Sequence, residues 1–208
     1  MALSDLYSNI NILLRWLHLI AGITWIGLLY FLNFVRVPLQ ADLDDATRTA
    51  VTRKLMARVL WWFRWGAMLT FLAGLGLFTL NYMYAPGAGF GPSQMFMEDG
   101  RITDRAGWIM FGMFLATIMW LNVWVIIWPA QKKMLGGKAT AEELPHLRRR
   151  SYLVSRLNAY LSGPMLFGML APSHYAAING PTLLIAIAIG LLVIWLALKA
   201  SSSVGASV

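Results

Sequence analysis

The chain has 208 residues, of which 59% are hydrophobic and only 12% charged, and its formal net charge is +8. This apolar share is well above that of soluble globular domains, so the composition indicates an integral membrane protein. The chain contains no Cys, which excludes disulfides, thiolate metal ligands, iron–sulfur clusters and covalently attached haem c.

Apolar stretches long enough to cross about 30 Å of hydrocarbon recur five times. They predict an all-α integral membrane protein with a five-transmembrane-helix bundle. We expect a single membrane domain over residues 1–208, with spans at about 11–35, 63–84, 107–129, 152–171 and 181–199. The first stretch is longer and richer in Trp than the core of a cleaved signal peptide, and no basic segment precedes it, so we expect it to be a span.

Basic residues are distributed unequally between the two sides of these spans. Fourteen of the 17 Lys and Arg fall on one side, and the exceptions are Arg15, Arg101 and Arg105. The positive-inside rule then predicts an outer N-terminus and a cytoplasmic C-terminus in a multi-pass protein of the bacterial inner membrane. The charge is divided between short loops, which favours contact with the headgroups of the lipid bilayer and argues against nucleic acid as a partner.

The two basic connections are predicted to be partly helical. Asp44 and Asp45 lie where the dipole of a starting helix favours carboxylates. The second span is therefore expected to begin either as an amphipathic surface helix or as a long helix that extends beyond the membrane. Thr140 and Glu143 have the spacing of a capping box, which predicts one short helix ended by Pro145.

The connection at residues 85–106 is the longest one predicted on the outer side. Its glycines and prolines disfavour regular structure, and both a lid and a simple connector are compatible with its length. Three carboxylates would attract a basic partner such as a soluble cytochrome: Glu98, Asp99 and Asp104.

Two of the three histidines lie on the outer side, His18 about two turns into the first span and His174 at the outer end of the fourth. Their common depth predicts that two imidazoles hold one metal or haem b as axial ligands. Arg15, Gly22 and Trp25 share a helix face with His18. On this hypothesis Gly22 leaves space for a flat macrocycle, Arg15 meets its propionates and Trp25 packs beside the ring.

A structural role for both histidines is the alternative. His18 would then form a hydrogen bond with a neighbouring helix, and His174 would be a loop residue in contact with water. Ionisable residues within spans favour a function. Met95 or Met97 also stays open as a replacement for one axial histidine.

Other residues within the spans predict contacts between helices. Small residues four positions apart allow backbones to approach closely, and two such pairs are Gly112 with Ala116 and Ala186 with Gly190. Asn122 and Asn158 are expected to form hydrogen bonds between helices and not to bind metal.

Four stretches resemble, in order, the bacterial membrane-bound urate oxidase (urate hydroxylase) family. They are RWLHLIAGITWIG (15–27), WWFRWGAMLTFLAGLGLF (61–78), NVWVIIWPAQKKML (122–135) and RSYLVSRLNAYLSGPMLFGMLAPSHY (150–175). The last two carry the more specific motifs. The first helix, with His18, Gly22 and Trp25, more loosely resembles haem-binding membrane proteins of the protoporphyrinogen oxidase and copper-resistance D type. These resemblances imply a membrane domain related to oxidoreductases.

The chain departs from the urate oxidase pattern at several positions. Family members are longer and carry a C-terminal cytochrome c domain. The family's HNNY motif reads Leu157-Asn158-Ala159-Tyr160 here, and an acidic residue expected early in the second matching helix corresponds to Gly66. The loss of these polar groups argues against urate as the substrate, whereas the retained His18 and His174 imply a cofactor site.

Three functions are therefore open. The first is a haem b protein that transfers electrons near the outer face, with quinol, a soluble or membrane-bound cytochrome c or a larger membrane complex as its partner. The second is an oxidoreductase that acts on a urate-like small molecule. The third is a cofactor-free accessory subunit of a membrane complex.

Overall fold

The computed structural model describes residues 5–175 and 177–204, and this part of the chain is mostly helical. The helices are α1 (Leu6–Tyr30), α2 (Val37–Asp42), α3 (Asp45–Tyr82), α4 (Asp104–Leu121), α5 (Trp128–Leu135), α6 (Glu143–His174) and α7 (Gly180–Ala200). Two π-helical segments, Phe31–Arg36 and Asn122–Ile127, join α1 to α2 and α4 to α5. Each of the five predicted spans therefore coincides with a long helical stretch.

Four of the described helical stretches are long and apolar enough to cross a membrane. They are Leu6–Asp42, Asp45–Tyr82, Asp104–Leu135 and Gly180–Ala200. The remaining predicted span, 152–171, lies inside α6, which is comparably long but more polar. Because α6 packs against α1, α4 and α7, much of its surface faces protein, and such a helix needs less apolar surface than one in contact with lipid.

Hydroxyl and amide groups connect α6 to the first helix. The Tyr30 and Ser162 hydroxyls lie 2.9 Å apart, and Asn33 Nδ2 donates to Ser155 Oγ at 3.0 Å. Asn33 is buried and also donates to the carbonyl of Leu29. These bonds join the α1–α3 pair to α6, which packs with α4 and α7.

The Asn122–Asn158 pair confirms the predicted contact between helices. Asn122 Nδ2 donates to Asn158 Oδ1 at 2.8 Å, and Asn158 Nδ2 donates to the Met119 carbonyl at 3.0 Å. Asn158 is fully buried. Its amide thus has a donor and an acceptor partner on the α4 side, as a polar group inside an apolar bundle requires.

Helix α3 begins where the carboxylates predicted a start. Asp44 is its N-cap, and its side chain accepts hydrogen bonds from the backbone N–H groups of Ala46 and Thr47. The helix then continues for 38 residues without interruption, which corresponds to about 57 Å. The start of the second predicted span is therefore part of one long helix and not a separate amphipathic surface helix.

The predicted short helix ending at Pro145 is wrong. Thr140 and Glu143 do form the reciprocal bonds of a capping box, but the helix they begin is α6, which extends to His174. Pro145 is the third residue of this helix, where the fixed φ of proline fits the first turn and only one backbone hydrogen bond is lost. A proline is therefore tolerated there, and the helix continues.

Each π-helical segment is followed by a proline in the next helix. Pro38 lies two residues after Phe31–Arg36, and Pro129 lies two residues after Asn122–Ile127. A proline cannot donate to the carbonyl four residues earlier. Wider i→i+5 bonding, such as that from the Trp128 N–H to the Val123 carbonyl, accommodates the missing donor.

The connection between α3 and α4 contains two β-hairpins, so the expectation of no regular structure was wrong. Strands β1 (Tyr84–Ala85) and β2 (Gly89–Phe90) pair antiparallel, as do β3 (Met97–Glu98) and β4 (Arg101–Ile102). Asp99 and Gly100 both have positive φ, and this dipeptide favours a two-residue hairpin turn. We call this end of the bundle the hairpin end, and the opposite end, with residues 36–58 and 132–150, the basic end.

Glycines bring α6 into close contact with its two neighbours. A Cβ on Gly112 of α4 would lie 3.0 Å from the Gly168 carbonyl carbon, and a Cβ on Gly163 would overlap the carbonyl of Gly190 on α7. The predicted small-residue positions Gly112 and Gly190 are therefore contact points. The backbones approach too closely there for any side chain.

We expect Gly163→Ala to destabilise the bundle by about 1–3 kcal/mol, because the added methyl group meets backbone that cannot rotate away. The free energy of unfolding of the detergent-solubilised protein, measured by titration with a denaturing detergent, tests this. Gly27→Ala is the matched control, since no atom outside the adjoining backbone lies within 4 Å of its Cβ. Equal losses of stability in the two variants would contradict the assignment of Gly163 as a contact point.

Candidate functional site

His18 lies on α1 and faces α3, where its ring contacts Gly74. Its Nδ1 is 2.9 Å from the Thr70 carbonyl oxygen, and a Cβ on Gly74 would lie 3.0 Å from the ring Cε1. A carbonyl oxygen can only accept a hydrogen bond, so Nδ1 must carry the proton. In the neutral imidazole, Nε2 then has the lone pair that a metal ligand requires.

The face of α1 next to His18 is packed against α3. A Cβ on Gly22 would lie 3.8 Å from Thr70 Cγ2, and a Cβ on Gly66 would lie 3.2 Å from the backbone nitrogen of Trp25. Part of the space that the sequence analysis assigned to a macrocycle at Gly22 is therefore occupied by α3. The glycine that permits the close approach of the two helices is Gly66, because a Cβ at Gly22 would make only an ordinary van der Waals contact.

Trp25 points into the centre of the bundle. It is 1% exposed and belongs to the same apolar cluster as Phe63, Met119 and Met165. Its indole Nε1 is buried and has no hydrogen-bond acceptor among the described residues. A buried donor without an acceptor is uncommon in a folded protein, so this N–H is available to a bound group.

Arg15 is exposed and lies one turn closer to the hairpin end than His18. Its Nε donates to Asn11 Oδ1 at 2.6 Å, and its Nη2 lies 3.2 Å from Asn81 Oδ1. Asn11 Nδ2 also donates to Asn81 Oδ1, so a small polar network joins α1 to α3. Neither asparagine was predicted to take part in the site, although Asn11 precedes Arg15 by one helical turn.

His174 is the last residue of α6 and is exposed. Nearby, Arg105 Nε donates to the Pro172 carbonyl at 2.9 Å, which ties the start of α4 to the end of α6. The Tyr30–Ser162 bond gives a common reference for depth. His18 and His174 each lie 12 residues from it toward the hairpin end, or about 18 Å along their helices.

By this count of residues the two histidines share a depth, and no bond joins them directly in the described part of the chain. No hydrogen bond between them occurs within the described ranges, and those ranges contain no cluster of three or more His, Cys, Asp or Glu that could hold a metal ion. Met95 and Met97, the alternative ligands, are exposed in the hairpin connection. A shared ligand would have to bridge His18 and His174.

Comparison with known protein families identifies one match. A family model described as urate oxidase N-terminal matches residues 89–201, more than half of the chain, from β2 to the end of α7. The stretches 122–135 and 150–175 and His174 lie within this range, whereas Arg15, His18, Gly22 and Trp25 precede it. No curated protein and no solved structure matches the chain.

We expect histidine-selective ¹⁵N NMR of the cofactor-free protein to show a protonated Nδ1 and an unprotonated Nε2 for His18, because the Thr70 carbonyl accepts the Nδ1 proton. The measurement is made at a pH at which imidazole is neutral. His146 is exposed near the start of α6 and serves as the control, with signals averaged over both tautomers. A proton held on Nε2 of His18 would contradict this geometry.

Proposed function

The chain belongs to the urate oxidase N-terminal family, and we propose that it is a multi-pass membrane protein that binds haem b near the hairpin end. Nε2 of His18 would be one axial ligand of the haem iron and His174 the other. The observation that carries this proposal is the bond from Nδ1 of His18 to the Thr70 carbonyl. Histidines that bind metals characteristically donate their second ring N–H to a carbonyl or a carboxylate, which fixes the tautomer and the ring orientation.

The surroundings of His18 fit this role in two respects. Arg15, held by Asn11 and Asn81 one turn nearer the hairpin end, offers a cation to the propionates, which prefer the polar edge of the bundle. Trp25 lies on the bundle side of α1 with a free indole N–H. Since α3 covers the face at Gly22, His18 and His174 would have to hold the haem away from that face.

Haem b would supply one-electron transfer. The residues of the chain would orient the cofactor and exclude water from its buried edge. The partner in this proposal is quinol, a cytochrome c or a larger membrane complex. The site lies at the hairpin end, where Glu98, Asp99 and Asp104 provide carboxylates at the surface.

A cofactor-free accessory subunit is the second candidate function. It is favoured by the same hydrogen bond, which already gives His18 a partner, and by the contact of the His18 ring with Gly74. In this case His18 would stabilise the α1–α3 pair and His174 would be solvated. The oxidation of a urate-like molecule is supported by family membership alone.

The optical spectrum of the protein distinguishes the two candidates. Protein purified from cells supplied with haem precursor is expected to show a Soret band and, when reduced, the sharp visible bands of six-coordinate haem b. His18→Ala and His174→Ala should each abolish the six-coordinate spectrum, because each removes an axial ligand. His146→Ala is the control and should leave the spectrum unchanged.

The absence of a Soret band from folded protein would reject haem binding and favour the accessory subunit. An unchanged spectrum in either ligand variant would remove that histidine from the site. If His18→Ala lost haem because the protein unfolded, the His174→Ala variant would test haem binding instead. His174 is exposed, and its loss disturbs no described packing.

We also propose that all five helical stretches cross the membrane, with the hairpin end outside and the basic end in the cytoplasm. Alkaline phosphatase fused after Ala88 should then be active, and green fluorescent protein fused after Gly137 or after Val204 should be fluorescent. Because both α6 and α7 separate these last two positions, an outer location for Val204 would mean that only one of these two helices crosses. An inactive Ala88 fusion would mean that the orientation is the opposite of the one proposed.

A further inference from the structure

A second site lies at the basic end, in a pocket between α2 and α3. Its wall includes four polar side chains, Arg36, Gln40, Arg48 and Thr52, and its remaining lining is apolar. Neither His18 nor His174 takes part in it. The pocket is therefore separate from the proposed haem site, and its chemistry depends on the two arginines.

Arg36 has no anionic partner in the described part of the chain. The ion pairs there are those of Arg48 with Asp45 and of Lys133 with Glu143. Arg36 is nevertheless partly buried, in the π-helical segment that precedes α2. Withdrawing a guanidinium from water without a counter-ion is unfavourable, so the pocket lacks a negative charge that would stabilise Arg36.

Arg48 has an unused donor at the same pocket. Its Nη1 pairs with Asp45 at 3.0 Å and its Nη2 donates to the Leu43 carbonyl at 2.7 Å. Its Nε is buried and has no hydrogen-bond acceptor among the described residues. Since buried donors are almost always satisfied in folded proteins, this N–H indicates a missing acceptor.

The other two polar side chains add further donors. Gln40 Nε2 donates to Thr52 Oγ1 at 3.1 Å, which orients both groups and leaves the Thr52 O–H free to donate. The pocket thus presents the guanidinium of Arg36, the Nε–H of Arg48 and a hydroxyl, and its lining includes no carboxylate. A group with several anionic oxygens fits this set, and guanidinium forks match the oxygens of a phosphate.

We propose that this pocket binds the phosphate of an anionic phospholipid. The rest of the lining is apolar and includes Phe31 and Leu55, which is compatible with a lipid whose acyl chains stay outside the pocket. The free space inside is only about 20 Å³, roughly one water molecule, so the phosphate lies at the mouth while its acyl chains remain in the bilayer. The inference depends on the proposed membrane insertion and not on haem.

The test compares lipid binding by variants of the purified full-length chain in an uncharged detergent, with native mass spectrometry as the measurement. Wild type is expected to bind phosphatidylglycerol at least about tenfold more tightly than phosphatidylcholine. Arg36→Gln should weaken phosphatidylglycerol binding about fivefold or more, and Thr52→Val about twofold. Arg149→Gln, which removes the same charge from an exposed position on α6, should bind as wild type does.

Two results would overturn the proposal. One is equal binding of the two lipids by wild type, and the other is an equal effect of Arg36→Gln and Arg149→Gln, which would mean that net charge alone attracts the lipid. Displacement of phosphatidylglycerol by an equal concentration of inorganic phosphate would also overturn it, in favour of a free-phosphate site. The reporter fusions test membrane insertion independently, so a failure of that premise is distinguishable.

Discussion

A polar group inside an apolar helix bundle has to find its partner among other polar groups of the protein, because the surrounding apolar side chains offer none. In this chain the requirement is met chiefly at α6. Tyr30 and Asn33 bond to it from the α1 side, and Asn122 bonds to it from the α4 side. These contacts set the position of α6 along its neighbours, and the glycine contacts at Gly112 and Gly190 then allow the backbones to close. The helices are thus fixed in depth as well as in distance.

The candidate haem site depends on the same requirement. His18 meets it by donating from Nδ1 to the Thr70 carbonyl, and that bond determines which ring nitrogen remains free. The depth shared by His18 and His174 also follows from the position of α6, because the Tyr30–Ser162 bond sets both helices to one reference level. The pocket at Arg36 and Arg48 is different, since among the described residues Nε of Arg48 has no acceptor and Arg36 has no anionic partner.

Much of this architecture follows from sequence patterns that act locally. The long apolar runs, the Asp44 cap and the Thr140–Glu143 box each depend on residues close together in the chain, and all three occur in the structure. The Asp99–Gly100 turn was readable in the same way, but the surrounding glycines and prolines suggested an irregular loop. The prediction that Pro145 ends a short helix was wrong because the effect of a proline depends on its position, and Pro145 lies in the first turn of α6.

The remaining features required knowledge of which helix faces meet. Nothing in the sequence near Gly22 indicates that Thr70 and Gly66 of α3 would occupy the adjoining space. The apolar count of α6 likewise gave no sign that this helix would be surrounded by others. Asn11 and Asn81, which hold Arg15, are 70 residues apart. Such contacts depend on tertiary packing and not on local propensity.

The two π-helical segments have a consequence for the symmetry of the chain. Phe31 and Asn122, Arg36 and Ile127, Pro38 and Pro129, and Gln40 and Gln131 are each separated by 91 positions. In both cases the irregular helix runs from the hairpin end to the basic end, and a long helix returns. The described chain thus contains two successive helical hairpins with the same order of elements, followed by α7. At the position 91 residues after His18 stands Ile109, so a ligand bound through His18 would have no equivalent ligand residue in the second hairpin.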